Sequence, residues 1–343
     1  MLEHGGRRRA AARRYGIPEA DWLDLSTGIS PHAYPAPAIA AEDWLRLPED
    51  DDGLLEAAAA YYGTARLVAL AGSQQAIQGL PFLLPRGRVG VLAPTYAEHP
   101  HHWQRAGHDV IRFAAAALPA VADTLDTLVV CQPNNPDAGC IAPAVLIDIA
   151  ERLQARCGQL VVDEAFIDAT PDASVITLAG DRLPNLIVLR SLGKFFGLAG
   201  ARVGFVAARP DLLTALREAA GPWPLCGPAR TVARRALADT AWQDVMRRTL
   251  AEASARLARL LAPLDPQEMR RVHPLFVWLP TAAAESIAAA LARQGILVRH
   301  FAAADCQGLR FGLPGAENDW QRLEAAIRAL TDPAARNDAG GMA

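Results

Sequence analysis

The stretch Ser191-Leu-Gly-Lys194-Phe-Phe-Gly197-Leu-Ala-Gly200-Ala-Arg202-Val-Gly204 sets one lysine between two groups suited to a phosphate. The serine stands three residues before the lysine and the arginine eight after it. Lysine offers an amine that can condense with a carbonyl, serine a short hydroxyl donor, and arginine a planar fork for phosphate oxygens. The glycines let the backbone turn tightly beside a ligand. This is the arrangement that a Schiff base beside an anchored phosphate requires. Taken alone, the spacing is also that of a strand-to-helix turn with one surface lysine.

Further candidates lie along the chain. Asp163 ends the apolar run Leu160-Val-Val-Asp163, where a carboxylate needs a positive or hydrogen-bonding partner. A protonated ring nitrogen is such a partner, and a helix-capping role is the alternative. Glu164 is the fallback acid, although strand alternation turns it the other way. Asn135, in Gln132-Pro-Asn-Asn135-Pro136-Asp137, offers a side-chain amide on a rigid turn, and a plain turn is its simpler reading. Gly72-Ser73-Gln74 opens a helix, whose free N–H groups favour an anion. Tyr96 is placed either to stack on an aromatic ring or to fill the core. His99-Pro100-His101-His102 reads as a helix entrance, because no matching cysteine or carboxylate set stands nearby in sequence to make a metal site.

The elements that must position these residues alternate. Strands are expected at 67–70, 89–92, 110–113, 128–131, 160–162, 186–189 and 203–206. Helices are expected from 72 toward 83 and near 97–106 and 143–156. Such alternation, with nearly continuous apolar strands, predicts an α/β fold with a doubly wound, mostly parallel sheet. Gly72-Ser73, Tyr96, Asn135, Asp163 and Ser191-Lys194 all follow strand ends, where open α/β sheets place ligands. After Gly221-Pro222-Trp223-Pro224 the pattern changes to a smaller α+β lobe. The expected division is an arm at 1–30, a large domain at 31–225, a small domain at 226–331 and a disordered tail at 332–343, with the hinge near 222–228.

The 343 residues carry a formal net charge of −3, so nothing global points to nucleic acid. Arg7, Arg8, Arg9, Arg13 and Arg14 read as a solvated helix face. No apolar run is long enough for a bilayer, and no secretory signal is apparent. Five cysteines without CxxC pairing fit a reduced cytoplasmic protein.

Together these residues resemble the fold-type I pyridoxal-phosphate enzymes, the aspartate aminotransferase superfamily, over roughly residues 20–330. The resemblance implies pyridoxal 5'-phosphate as cofactor and a homodimer. It makes Lys194 the Schiff-base lysine and Asp163 the partner of the pyridine nitrogen. Asn135 then contacts the ring hydroxyl, Tyr96 stacks on the ring, and Gly72, Ser73, Gln74, Ser191 and Arg202 hold the phosphate. Within that superfamily the chain is similar to the histidinol-phosphate aminotransferase branch. It is more similar still to the L-threonine-O-3-phosphate decarboxylases of cobalamin biosynthesis. The segments that carry this are His4-Gly5-Gly6, Leu23-Asp24-Leu25-Ser26-Thr27-Gly28-Ile29-Ser30-Pro31, Asp163-Glu-Ala-Phe166-Ile167-Asp168 and Arg190-Ser191-Leu192-Gly193-Lys194-Phe195.

The decarboxylase pattern has Phe three residues after the pyridine-binding Asp, as Phe166 is here. The resemblance implies a phosphorylated amino acid substrate whose two anions are met by Arg299 and Arg310, with His4 and Asn135 also in contact. Two departures stand out. Leu47 replaces a tyrosine expected to reach the partner subunit's phosphate, and Asp137 replaces the more usual threonine of Asn-Asn-Pro-Thr. A histidinol-phosphate-type aminotransferase and a non-catalytic binding module are the competing readings.

Overall fold

The computed structural model describes residues 2, 4–303 and 306–332. From residue 333 on, the expected disordered tail lies outside the described residues. In chain order the strands are β1 (Leu23–Leu25), β2 (Leu67–Leu70), β3 (Arg88–Leu92), β4 (Asp109–Phe113), β5 (Thr127–Cys131) and β6 (Gln159–Asp163). They continue with β7 (Leu186–Ser191), β8 (Gly204–Ala207), β9 (Arg271–His273), β10 (Phe276–Pro280), β11 (Ile296–Phe301) and β12 (Gly308–Gly312).

Contacts divide the chain into two units: 1–32 with 136–138 and 246–343, and 33–135 with 139–245. This differs from the expected boundary at 225/226. The helix Gly227–Ala238 packs on the helices Leu54–Tyr62 and Ala41–Leu45, so the proline-rich segment does not end the larger unit. The division falls instead inside the long helix Thr240–Leu260. The N-terminal segment is likewise no separate arm: β1 pairs in parallel with β11, and both belong to the smaller unit.

The larger unit is built on a seven-stranded sheet in the order β2-β8-β7-β6-β5-β3-β4. Its β7-β6-β5-β3-β4 section is parallel, and β8 runs antiparallel between β7 and β2. Every residue of β2, β5, β7 and β8 is buried, as expected for strands covered on both faces. Val89, Val91, Val129, Val161, Ile187, Leu189 and Val206 share one core with Ile77 and Leu80 of the helix Ser73–Leu83 and Leu212 and Leu216 of the helix Pro210–Ala220.

The smaller unit carries the five-stranded sheet β1-β11-β12-β10-β9, antiparallel apart from the β1–β11 pair. Among the described residues no helix is long and apolar enough to cross a membrane.

Candidate active site

In the larger unit the C-terminal ends of β2, β3, β5, β6 and β7 lie on one edge of the sheet, and antiparallel β8 begins there. That edge collects the chemistry. Asp163 is the last residue of β6, Ser191 the last of β7, and Arg202 stands just before β8. Gly72 is the N-cap of the helix Ser73–Leu83, and Asn135 lies in the turn after β5.

Gly72 has φ +75°, the left-handed region that disfavours other residues. A Cβ placed there would lie 2.6 Å from an Arg202 guanidinium nitrogen. Arg202 itself has φ +54°, unusual for a residue with a side chain. A strained arginine therefore faces a helix N-terminus across a space that only glycine leaves open. Ser191 and the first-turn amides of Ser73 and Gln74 add neutral donors. This cradle has the donor chemistry of a phosphate seat.

The Gln74 side chain is engaged elsewhere: its amide donates to Glu98 Oε2 at 3.0 Å, and its oxygen accepts from the Tyr96 hydroxyl at 3.2 Å. Its offer to an anion is therefore its backbone amide. Tyr96 is half-buried, edge-on to His99 with centroids 6.1 Å apart. Burial, and then the nearby Glu98 and Asp163 carboxylates, push its hydroxyl pKa up, so it stays protonated and donates.

Asp163 is buried, and its carboxylate is held from two sides. Oδ1 accepts the Ala165 N–H at 3.1 Å, and Oδ2 lies 2.9 Å from His99 Nε2. His99 is buried too, and its ring, Cys131 Sγ and an Asp163 oxygen lie within 4.8 Å of one another. No matching cysteine or carboxylate set stands near this histidine in sequence; in the fold both arrive from neighbouring strands, β5 and β6. Burial disfavours the charged imidazole, but Cys131 and the Asp163 carboxylate outweigh it and push the His99 pKa up to about 10. The sequence held one usable sign of this role. His99 and buried Trp103 are four residues apart on the helix Glu98–Arg105, so the histidine shares the buried face.

Lys194 is half-buried, with Nζ 5.4 Å from the centre of the Phe166 ring. Phe166 brings an apolar ring where a tyrosine would bring a donor. Asn135 is positioned by its neighbour Asn134, whose amide donates to the Pro94 carbonyl at 2.8 Å and whose oxygen accepts from Thr95 Oγ1 at 3.0 Å.

Glu164 turns away from Asp163, as alternation predicts, into a buried cluster that the sequence reading missed. Arg190 Nη1 lies 2.9 Å from Glu164 Oε2, and Arg190 Nη2 pairs with Asp168 Oδ1. Tyr61 donates to Asp168 at 3.1 Å, and Ser174 to Glu164 at 2.6 Å. The Arg190 guanidinium lies 4.5 Å from the Tyr62 ring centre. The cluster joins the residue after Asp163 to the residue before Ser191.

In the smaller unit Arg299 and Arg310 are direct cross-strand partners on β11 and β12, rather than strand-end residues. Like charges placed opposite each other are unfavourable, which argues for anions between or beside them. Arg310 is buried and donates to the Ser26 carbonyl at 3.1 Å. Asp137 accepts from Arg271 at 2.8 Å, which gives the aspartate in this turn a partner that a threonine could not match in charge.

The model of the aminotransferase class I and II family matches residues 35–330. A threonine-phosphate decarboxylase of Pseudomonas aeruginosa is 50% identical over 340 residues, which is 97% of this chain and 99% of that protein. Another, from a Sinorhizobium species, is 40% identical over 95% of this chain and 98% of its own length. The histidinol-phosphate aminotransferase of Sinorhizobium meliloti, solved in complex with pyridoxal-5'-phosphate, superimposes with a TM-score of 0.79 at 22% identity, covering 96% of each chain. Family match, near full-length relatives and fold agree: this chain belongs to the aminotransferase class I and II family.

Proposed function

We propose that this chain is a pyridoxal-phosphate-dependent decarboxylase that converts L-threonine O-3-phosphate to (R)-1-amino-2-propanol O-2-phosphate and carbon dioxide, a step of cobalamin biosynthesis. The observation that carries the reading is the 50% identity, across nearly the whole of both chains, to a threonine-phosphate decarboxylase. The cradle at Gly72 and Arg202, the lysine between Ser191 and Arg202, and the held Asp163 carboxylate fit the cofactor's phosphate, carbonyl and ring nitrogen. When bound, pyridoxal phosphate supplies an electron sink for the bond broken at Cα.

The chain's own residues then divide the work. Ser73, Gln74, Ser191 and Arg202 hold the cofactor phosphate. Asp163, oriented by His99 and by the Ala165 amide, keeps a proton on the pyridine nitrogen. Asn135 donates to the ring oxygen without help from Phe166, which has no hydroxyl. Arg310, buried and fixed to the Ser26 carbonyl, suits the compact substrate carboxylate. Arg299 and His4, which border an open cleft, suit the larger phosphate. These cations fix which bond at Cα stands aligned for cleavage. The Cα–carboxylate bond breaks, carbon dioxide leaves, and the Lys194 amine, once protonated, returns a proton to Cα.

The working form in this proposal is a cytoplasmic homodimer. Trp44, Leu45 and Leu47 are all strongly exposed on one short stretch of the larger unit, an apolar surface that a second copy would cover. The deciding experiment mixes cofactor-loaded protein with L-threonine O-3-phosphate and no keto acid. Catalytic release of carbon dioxide and aminopropanol phosphate is expected. Amine transfer from histidinol phosphate to 2-oxoglutarate, without decarboxylation, would assign the aminotransferase reaction instead.

A further inference from the structure

The smaller unit has a cleft of about 620 Å³ bordered by His4, Arg7, Arg14, Ser26, Glu285 and Arg299. Its three arginines face a single carboxylate among these residues, so it attracts anions. The N-terminal segment is tied to the cleft wall. The Gly6 N–H donates to Ser26 Oγ at 2.8 Å, and Ser26 Oγ in turn donates to Asp24 Oδ1 at 2.6 Å. Gly5 passes so near that a Cβ would lie 2.3 Å from the Ser26 carbonyl oxygen, and Gly6 sits at φ +78°. This glycine turn brings His4 and Arg7, the residues on either side of it, to the same cleft. Arg7 donates to the Leu2 carbonyl at 3.3 Å, which leaves most of its fork to offer.

We infer that Arg7 is a further phosphate-binding residue, acting with His4 and Arg299 to select phosphorylated over unphosphorylated substrate. The inference rests on the decarboxylase reading for its substrate, and on the glycine turn and the cleft for its geometry. A phosphomonoester carries close to two negative charges at neutral pH. Arg299 and Arg14 supply two compensating charges, and Glu285 on the same cleft offsets one of them. Arg7 restores the balance with a charge-assisted donor. Of the five clustered N-terminal arginines, Arg7 and Arg14 border this cleft and so depart from the solvated helix face that their clustering suggested. Arg9, by contrast, pairs with Glu19 in the open.

The test compares holoenzyme with Arg7→Ala, Arg7→Lys and Arg9→Ala. Steady-state kinetics are measured with threonine phosphate, and inorganic phosphate binding is measured by calorimetry. Losing one charge-assisted contact is expected to raise KM and weaken phosphate binding by roughly ten- to a hundredfold in Arg7→Ala, with kcat changed far less. Arg7→Lys recovers part of the loss, and Arg9→Ala behaves as wild type. Equal KM and equal phosphate affinity in wild type and Arg7→Ala would overturn the inference and leave the decarboxylase intact. A wild type that releases no carbon dioxide would overturn the decarboxylase reading, while phosphate titration would still report on the cleft.

Discussion

At the scale of single residues, the centre of the site is a carboxylate that is not left to itself. Asp163 reaches the edge of the sheet already bonded to an amide and an imidazole. Because His99 has its pKa raised above that of a free histidine, the pair stabilises the fold fully below the ordinary histidine range. That contribution fades as pH rises toward 10. In the cofactor-free protein, nitrogen NMR of the His99 ring is therefore expected to report a protonated imidazole at pH 7 and 8; a neutral ring at pH 7 would refute the pairing. Lys194→Ala is expected to abolish the visible absorbance of bound cofactor and to reduce turnover by several orders of magnitude, measured by spectrum and carbon dioxide release. Lys194 and Arg202 were chosen from the sequence because their spacing is local, and Asp163 because a carboxylate ends an apolar run. His99 stayed hidden because its partners, Cys131 and Asp163, come from other strands.

Elements explain what single residues cannot. The buried Arg190 cluster fixes the turn after β6 to the end of β7, and so fixes Asp163 relative to Ser191. Removing one member strands the others in a dry interior, at a cost of about 3–5 kcal/mol. Arg190→Met is thus expected to lower the thermal midpoint clearly and to weaken cofactor retention. Adding Glu164→Gln should recover part of the loss, because it removes a stranded charge; calorimetry and the cofactor spectrum check both. Most strands of the large sheet were legible because they are buried apolar runs, as β2, β5, β7 and β8 are throughout; β4, with no fully buried residue, showed only by its short apolar pattern. Strands β1 and β9 were not, since three residues carry too little periodicity to register. Arg190 looked like one more residue beside a motif, and only the pairing of β6 with β7 gives it a role.

For the whole molecule, the sequence placed a boundary where composition changes, at a proline-rich segment. The chain places it where packing changes, twenty residues on, because the helix Gly227–Ala238 still has the helix Leu54–Tyr62 to cover. Self-association should depend on the exposed Trp44–Leu47 stretch. Leu45→Glu is expected to shift a dimer toward monomer in light scattering and to lower activity with it; an unchanged mass would place the interface elsewhere.

The position of β8 has a consequence for how the protein matures. This strand enters the sheet between β2 and β7, so the turn at Gly72 meets Arg202 only after most of the larger unit has been made. Contacts between such distant segments form late in folding. A growing chain at the ribosome therefore carries Gly72 and the helix it caps long before Arg202 arrives to complete a grip on phosphate. Cofactor capture becomes a test of completed assembly: fragments that end before β8 should retain no pyridoxal phosphate once the free cofactor is removed by desalting.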